Sequence, residues 1–353
     1  MTHDRLAITE LSALEILDSR GNPTLQVTLT DGSGATHVAG VPSGASTGTR
    51  EAAGADPLWM SLRPTDVEPR LPVPHFNVLN GGVHAPNDLD FQEFMIAPVG
   101  APTFPEAVRA GAAVYGKLRA LLHGRGEATG LGDEGGFAPN VAVPEDVLRL
   151  IVQAIEDAGY PTGASGVAIA LDPAASEFYR DGSYHVAGES LSSDDMIARY
   201  EQIASDFPVW SLEDGLAEGD WDGWERLTAR LGERLQLVGD DIFVTNPAII
   251  TEAVERGVGN SSLIKLNQIG TVTETLEAQR ISREAGYTQM ISHRSGETPD
   301  SFIADLTVAT GTGQLKSGAP ARGERVAKYN RLLDIAAAAP ELSYGLTQQA
   351  RIR

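Results

Sequence analysis

The stretch PVWSLEDGLAEGDWDGWERLTARLGERLQLVGDD, residues 208–241, holds two short apolar runs that end on acids, at Glu213 and Asp240, with a helical segment between them. The pattern recurs on either side: GVAIALD ends at Asp172, SSLIKLNQ contains Lys265, TQMISHRSGE contains His293 and GQLKSGAP contains Lys316. Continuous apolar strands alternating with helices require a parallel sheet covered on both faces. A closed (β/α) barrel and an open doubly wound sheet both satisfy that requirement. In a barrel the carboxyl ends of successive strands converge in a ring on one face, where chemistry sits. In an open sheet the working positions gather at one switch point. A charged or polar group at every strand end fits the ring better, so the expected fold is an α/β barrel.

Working outward, residues 103–123 place Thr103 and Glu106 in capping-box spacing and predict an amphipathic helix with Phe104, Val108, Ala112, Tyr115, Leu118 and Leu122 on one face. A second helix is expected to open at Pro144, turn Val147, Leu148, Ile151 and Ile155 inward, and stop near Gly159. From Leu11 to Ser43 the chain instead alternates apolar with polar residues around the turn sequences DSRGNPT and DGSGA, which predicts a small antiparallel sheet. Between the two regions, residues 49–77 carry Pro57, Pro64, Pro69, Pro72 and Pro74 and no apolar run at helical spacing, so they read as a linker. A boundary near residue 70 divides the chain into a small domain, 1–70, and a barrel, 71–353.

The net charge of −21 argues against nucleic acid or an anionic membrane surface as partner, since no basic stripe exists to release counterions. An anionic substrate would need local cations, and 48 acidic residues make a bound divalent metal one source of them. The absence of cysteine removes disulfides, thiolate chemistry and zinc-cysteine sites. The first residues lack a basic segment followed by an apolar core, and no apolar run reaches membrane-span length, so a cytoplasmic location is the expectation.

A single acid after a strand is often a helix cap or a solvated charge. Asp172, Glu213 and Asp240 in three successive units point instead to a hard cation with oxygen ligands, and magnesium suits them because it leaves positions open for water and substrate. Lys265 lies inside the apolar run LIKLN. Burial there would lower its pKa and make it a base at neutral pH; the alternative is an edge lysine snorkelling to solvent. His293, Arg294 and Ser295 offer a guanidinium beside a hydroxyl, a good phosphate receptor or else an ordinary polar loop. Glu93 in QEFM and Glu134 in GDEGGFAPN are isolated glutamates, the second among glycines that let backbone approach a ligand. The loop VPSGASTG, 41–48, lacks the lysine of a Walker loop.

Taken in order, LDSRGNPT, VPSGASTG, NGGVHA, QEFM, GDEGGFAPN, LDPAASEFY, SLEDGL, VGDD, LIKLNQIGTVTE, ISHRSGET, GQLKSGAP and AKYNRLL resemble the enolase family from Ile16 to Leu333. The resemblance implies a modified (β/α)8 barrel behind a small α+β domain, and reversible dehydration of 2-phosphoglycerate to phosphoenolpyruvate with two magnesium ions, the second arriving with substrate. It implies that Asp172, Glu213 and Asp240 ligate the first ion and Ser46 reaches the second. Lys265 matches the base, Glu134 the acid and Glu93 its supporting glutamate, with Gln92 and His84 lining the pocket and His293 beside the acid. Arg294 and Ser295 match phosphate contacts, and Lys316 the carboxylate contact. A homodimer or larger homo-oligomer is implied as well.

The sequence departs from the family pattern in two places. A sizeable helical part of the small domain, expected between SGASTG and the start of the barrel, is replaced by the proline-rich stretch. Pro173 follows Asp172 directly and stiffens the strand exit. The shortened domain motivates an alternative reading, an enolase-like enzyme of specialised metabolism such as a carboxyphosphonoenolpyruvate synthase in phosphonate biosynthesis. A non-catalytic binding protein is a third reading.

Overall fold

The apolar runs become barrel strands because their backbones are paired on both edges and their side chains are covered on both faces. The computed structural model describes residues 8–17, 23–41 and 58–346. The small sheet is an antiparallel meander of β1 (Ile8–Leu17), β2 (Pro23–Asp31) and β3 (Thr36–Val41), as the alternation predicts. Its second turn is held by Asp31, whose Oδ1 accepts from the Ser33 and Ala35 amides, while Gly34 takes the left-handed φ of 84° that the turn requires.

The barrel comprises β4 (Val73–Asn80), β5 (Glu93–Ala97), β6 (Ala168–Asp172), β7 (Val209–Glu213), β8 (Gln236–Gly239), β9 (Ser261–Ile264), β10 (Thr288–Ser292) and β11 (Gln314–Lys316). It closes through β11 on β4. The outer helices are α1 (Phe104–Gly124), α2 (Pro144–Asp157), α3 (Ser193–Asp206), α4 (Trp221–Leu231), α5 (Pro247–Arg256), α6 (Val272–Glu284), α7 (Phe302–Ala309) and α8 (Gly323–Ala338). Only β5 runs against its neighbours, antiparallel to both β4 and β6. That reversal matters for the site. Glu93 begins β5, yet it pairs with Asp172 at the end of β6, so it reaches the same rim as the carboxyl ends of the parallel strands.

The second predicted helix is observed as α2, with Val147, Leu148, Ile151 and Ile155 buried and Gly159 just beyond it at φ 83°. The first forms as α1, capped by Thr103 Oγ1 accepting from the Glu106 amide, but its buried face differs from expectation. Ala107, Ala110, Gly111 and Val114 join Phe104, Leu118 and Leu122 inside, while Ala112 is exposed and Val108 and Tyr115 are half-buried. Small residues win the inner face because the helix lies directly on Phe76. A Cβ on Gly111 would sit 2.2 Å from that ring.

Two further expectations are corrected. The proline-rich stretch is no free linker from residue 58 onward: Leu58–Leu62 is a short helix beside α7 with Trp59 buried, and residues 70–71 pair with 343–344. A single buried indole decides this, which a search for helical periodicity over five residues cannot detect. The barrel interior is also less apolar than the strands suggested. Gln236 and Gln314 exchange amide hydrogen bonds across it at 2.9 Å, with Ser211 and Thr288 attached, so each buried amide has polar partners.

Candidate active site

The rim of the barrel places Lys316 at the centre of an acidic ring. It ends β11, is buried, and its Nζ donates to Asp172 Oδ2 at 2.8 Å and Glu213 Oε1 at 2.7 Å, with Glu93 Oε2 at 3.1 Å. Burial alone would lower its pKa, but Asp172, Glu213 and Glu93 outweigh that and raise it well above the usual lysine range. Glu213 is pushed the other way, upward, by burial and by Asp172. Pro173 and Ala174 turn the chain sharply after Asp172, Ala174 sitting at φ 50°, and the Ala174 amide donates back to Asp172 Oδ1 at 3.0 Å.

Asp240, just past β8, accepts from Lys265 Nζ and, at 2.8 Å, from Gln268 Nε2. Asp214 orients this segment: its two carboxylate oxygens accept from the Asp240 and Asp241 amides at 3.0 and 2.9 Å. The expected lowering of the Lys265 pKa is not what the structure produces. Burial works in that direction, but the facing Asp240 carboxylate reverses it, and Lys265 is raised. Asp241, the next residue, is lifted to about 6 by burial and by Asp240.

Across the same cavity of about 150 Å³ lies a second group, with His84, Gln92, Glu93, Glu134, His293, Arg294 and Ser295 on its walls. Glu134 Oε2 accepts from Asn77 Nδ2 at 3.0 Å and lies 3.2 Å from His293 Nε2. His84 Nδ1 stands between the two glutamates, 3.8 Å from Glu93 and 3.9 Å from Glu134. Burial and the neighbouring Glu134 charge raise Glu93. Burial would raise Glu134 too, but the imidazoles of His293 and His84 hold it low. The neighbouring charges thus push the two carboxyls in opposite directions, Glu93 up and Glu134 down. Arg294 rests its Nη1 on Asn267 Oδ1 at 2.8 Å, a neutral acceptor that orients the guanidinium without neutralising it.

Residues 68–345 match the family model described as "Enolase, C-terminal TIM barrel domain", and residues 8–57 match "Enolase, N-terminal domain". The chain belongs to the enolase family. An enolase of Acidothermus cellulolyticus is 46% identical over 403 aligned positions, covering 93% of this chain and 94% of the relative. An enolase of Rubrobacter xylanophilus is 44% identical over 408 positions, covering 93% and 95%. Both alignments exceed the 353 residues of the chain, so each of these enolases carries residues with no counterpart here.

Of the residues singled out from sequence, Asp172, Glu213, Asp240, Lys265, Glu93, Glu134, His84, Gln92, His293, Arg294, Ser295 and Lys316 gather at this one rim. Ser46 lies outside the described residues. Among the described residues, two sets of possible metal ligands have oxygen or nitrogen atoms within 4.8 Å of one another: His84, Glu93 and Glu134, and Asp214, Asp240 and Asp241. Neither is the trio expected from sequence. In the first, Glu93 already faces the Lys316 ammonium and Glu134 the His293 ring. In the second, Asp214 is spent on two backbone amides. Asp172, Glu213 and Asp240 are instead spread around the ammonium groups of Lys316 and Lys265, which here balance their charge. Sequence reasoning missed Asn77, Asp214, Gln268 and Arg325. Asp214 is adjacent to a candidate acid and Gln268 lies in the same LIKLNQ run as Lys265, so both were within reach; Asn77 and Arg325 hold functional groups from positions without any local motif.

Proposed function

We infer that the chain catalyses the reversible dehydration of 2-phosphoglycerate to phosphoenolpyruvate, as an enolase-type hydro-lyase. The observation that supports this most directly is one small cavity holding Lys265 on its Asp240 side and Glu134 between His293, Asn77 and His84. Dehydration needs those two roles. Neutral Lys265 takes the proton from the carbon bearing the carboxylate, and protonated Glu134 gives one to the hydroxyl, which departs as water. Arg294 and Ser295 receive the phosphate, and Lys316 faces the carboxylate end, with His84 and Gln92 along the wall.

Asp172, Glu213 and Asp240 would hold magnesium, with Ser46 reaching a second ion. The donor set fits: three buried carboxylates at one barrel end, and Glu213 Oε2 without a hydrogen-bond partner among the described residues. Bound there, magnesium supplies positive charge against the negative charge that builds on the substrate carboxylate. Lys265 gains basicity for the reaction once Asp240 no longer pairs with its ammonium.

The boundary near residue 70 belongs to the same reading, supported by the first barrel strand beginning at Val73. So does a homo-oligomer, supported by Ile8 and Leu11, 60% and 65% exposed on β1. No observation favours the phosphonate-pathway alternative, and relatives called enolase across nearly the whole chain speak against it. Among the described residues no helix is long and apolar enough to cross a membrane. The test is turnover of 2-phosphoglycerate with magnesium in the wild type, Lys265→Ala and Glu134→Gln. Both variants should lose at least about 10²-fold in kcat; a Lys265→Ala enzyme as fast as wild type would remove the base.

A further inference from the structure

Arg325 in α8 is fully buried, and nothing in the chemistry above uses it. Its Nη1 donates to His293 Nδ1 and to the Arg294 carbonyl, both at 2.6 Å. Its Nη2 donates to the Asp133 carbonyl at 3.1 Å and to the Ser295 carbonyl. One side chain thus ties the loop that carries Glu134 to the loop that carries His293, Arg294 and Ser295.

The contact with His293 does more than tie loops. A guanidinium has only donors and keeps its charge in proteins. The nitrogen it faces, Nδ1, is therefore a bare lone pair, and a neutral imidazole then carries its proton on Nε2. Nε2 is the atom that lies 3.2 Å from Glu134 Oε2.

We propose that Arg325 is a positioning residue for the acid: it locks His293 as the neutral Nε2–H tautomer, whose Nε2–H faces Glu134 and cannot take a proton from it. The consequence is chemical. An ordinary histidine is more basic than an ordinary carboxylate, so a free ring beside Glu134 would remove the proton that the departing hydroxyl needs. The charged groups facing the ring are Glu134 from its loop, Arg325 from α8 and Lys316 from β11. Only Glu134 favours the imidazolium. Burial, then Arg325 and Lys316, outweigh it and bring His293 down to about 3.

The inference rests on the assignment of Glu134 as the acid, but its primary test reads neither turnover nor substrate. In full-length protein labelled with 15N-histidine, NMR near neutral pH should show His293 protonated on Nε2 alone, the resonance being assigned by its loss in His293→Gln. A ring carrying its proton on Nδ1, or on both nitrogens, overturns the proposal whatever the variants do. In Arg325→Met and Arg325→Leu, which present no donor to Nδ1, the ring should gain a proton on Nδ1. kcat should fall roughly 10²-fold with KM less affected, and a new ionisation should enter the kcat profile near neutral pH. A variant that loses activity while its His293 keeps the Nε2–H form makes Arg325 a structural tie only and also overturns the proposal. If neither variant folds, the wild-type spectrum decides.

Discussion

Replacing His75 with methionine should make the barrel less sensitive to mild acid. His75 sits inside β4 with no exposed surface, its ring 5.7 Å from that of Trp210. Burial and the Lys316 charge depress its pKa from 6.5 to about 3. The unfolded chain therefore binds a proton on this residue between about pH 3 and 6.5 that the folded chain refuses. Stability rises with pH across that window and is lost as pH falls below 6.5. At pH 5 the unfolded side chain is stabilised over 1.5 pH units, which at 1.36 kcal/mol per unit amounts to about 2 kcal/mol. Methionine has nearly the same volume and does not titrate, so its packing cost is the same at every pH. The assay is the urea midpoint of the barrel transition at pH 7.5 and pH 5. The wild type should lose about 2 kcal/mol more than His75→Met between the two. His293, depressed for similar reasons, contributes equally to both proteins and cancels in the difference. Parallel losses would mean that His75 is protonated in the folded state or reaches water, and would refute the reasoning.

Gly111→Ala should cost about 1–3 kcal/mol in denaturant melts, because the new Cβ meets the buried Phe76 ring at 2.2 Å; an unchanged midpoint would show that α1 can lift off β4 freely. Trp59→Ala should cost about 3–5 kcal/mol if the connector is docked as described, and near nothing if it is a tether. In Glu213→Gln, calorimetric titration with magnesium alone should show affinity reduced at least about tenfold, whereas wild-type affinity would remove Glu213 from the ligand set.

The barrel was legible because its information is periodic and repeated. Apolar runs such as GVAIALD and LQLVGDD each end on a charge that packing does not require, and repetition turns a weak local signal into an architecture. What was not legible depends on contacts made across the fold. Glu93 starts its strand, so its place among strand-end acids follows only from the reversed direction of β5. The helix face of α1 depended on how closely Phe76 approaches, which no helical wheel contains. Arg325 lies in the first turn of α8, in an unremarkable GERVAKYN segment, and its role needs the His293 ring that packing brings to it. The sign of the Lys265 shift was misread for the same reason: burial was visible in LIKLN, its partner Asp240 was not.

That sign has a mechanistic consequence. In the ligand-free protein Asp240 raises Lys265 against its burial, Glu93 is raised by burial and by Glu134, and Glu134 is held low against its burial by His293 and His84; on the function proposed above, base and acid are both biased away from their working states. Both settings reverse when charge enters the cavity. Drawing Asp240 away from Lys265 would remove the interaction that raised the lysine, and an anionic substrate beside Glu134 would raise that carboxyl. On the proposed function, the same binding events that position substrate would therefore shift both groups toward their working states. Until then the Lys316 ammonium balances the charge of the acidic ring through its bonds to Asp172 and Glu213.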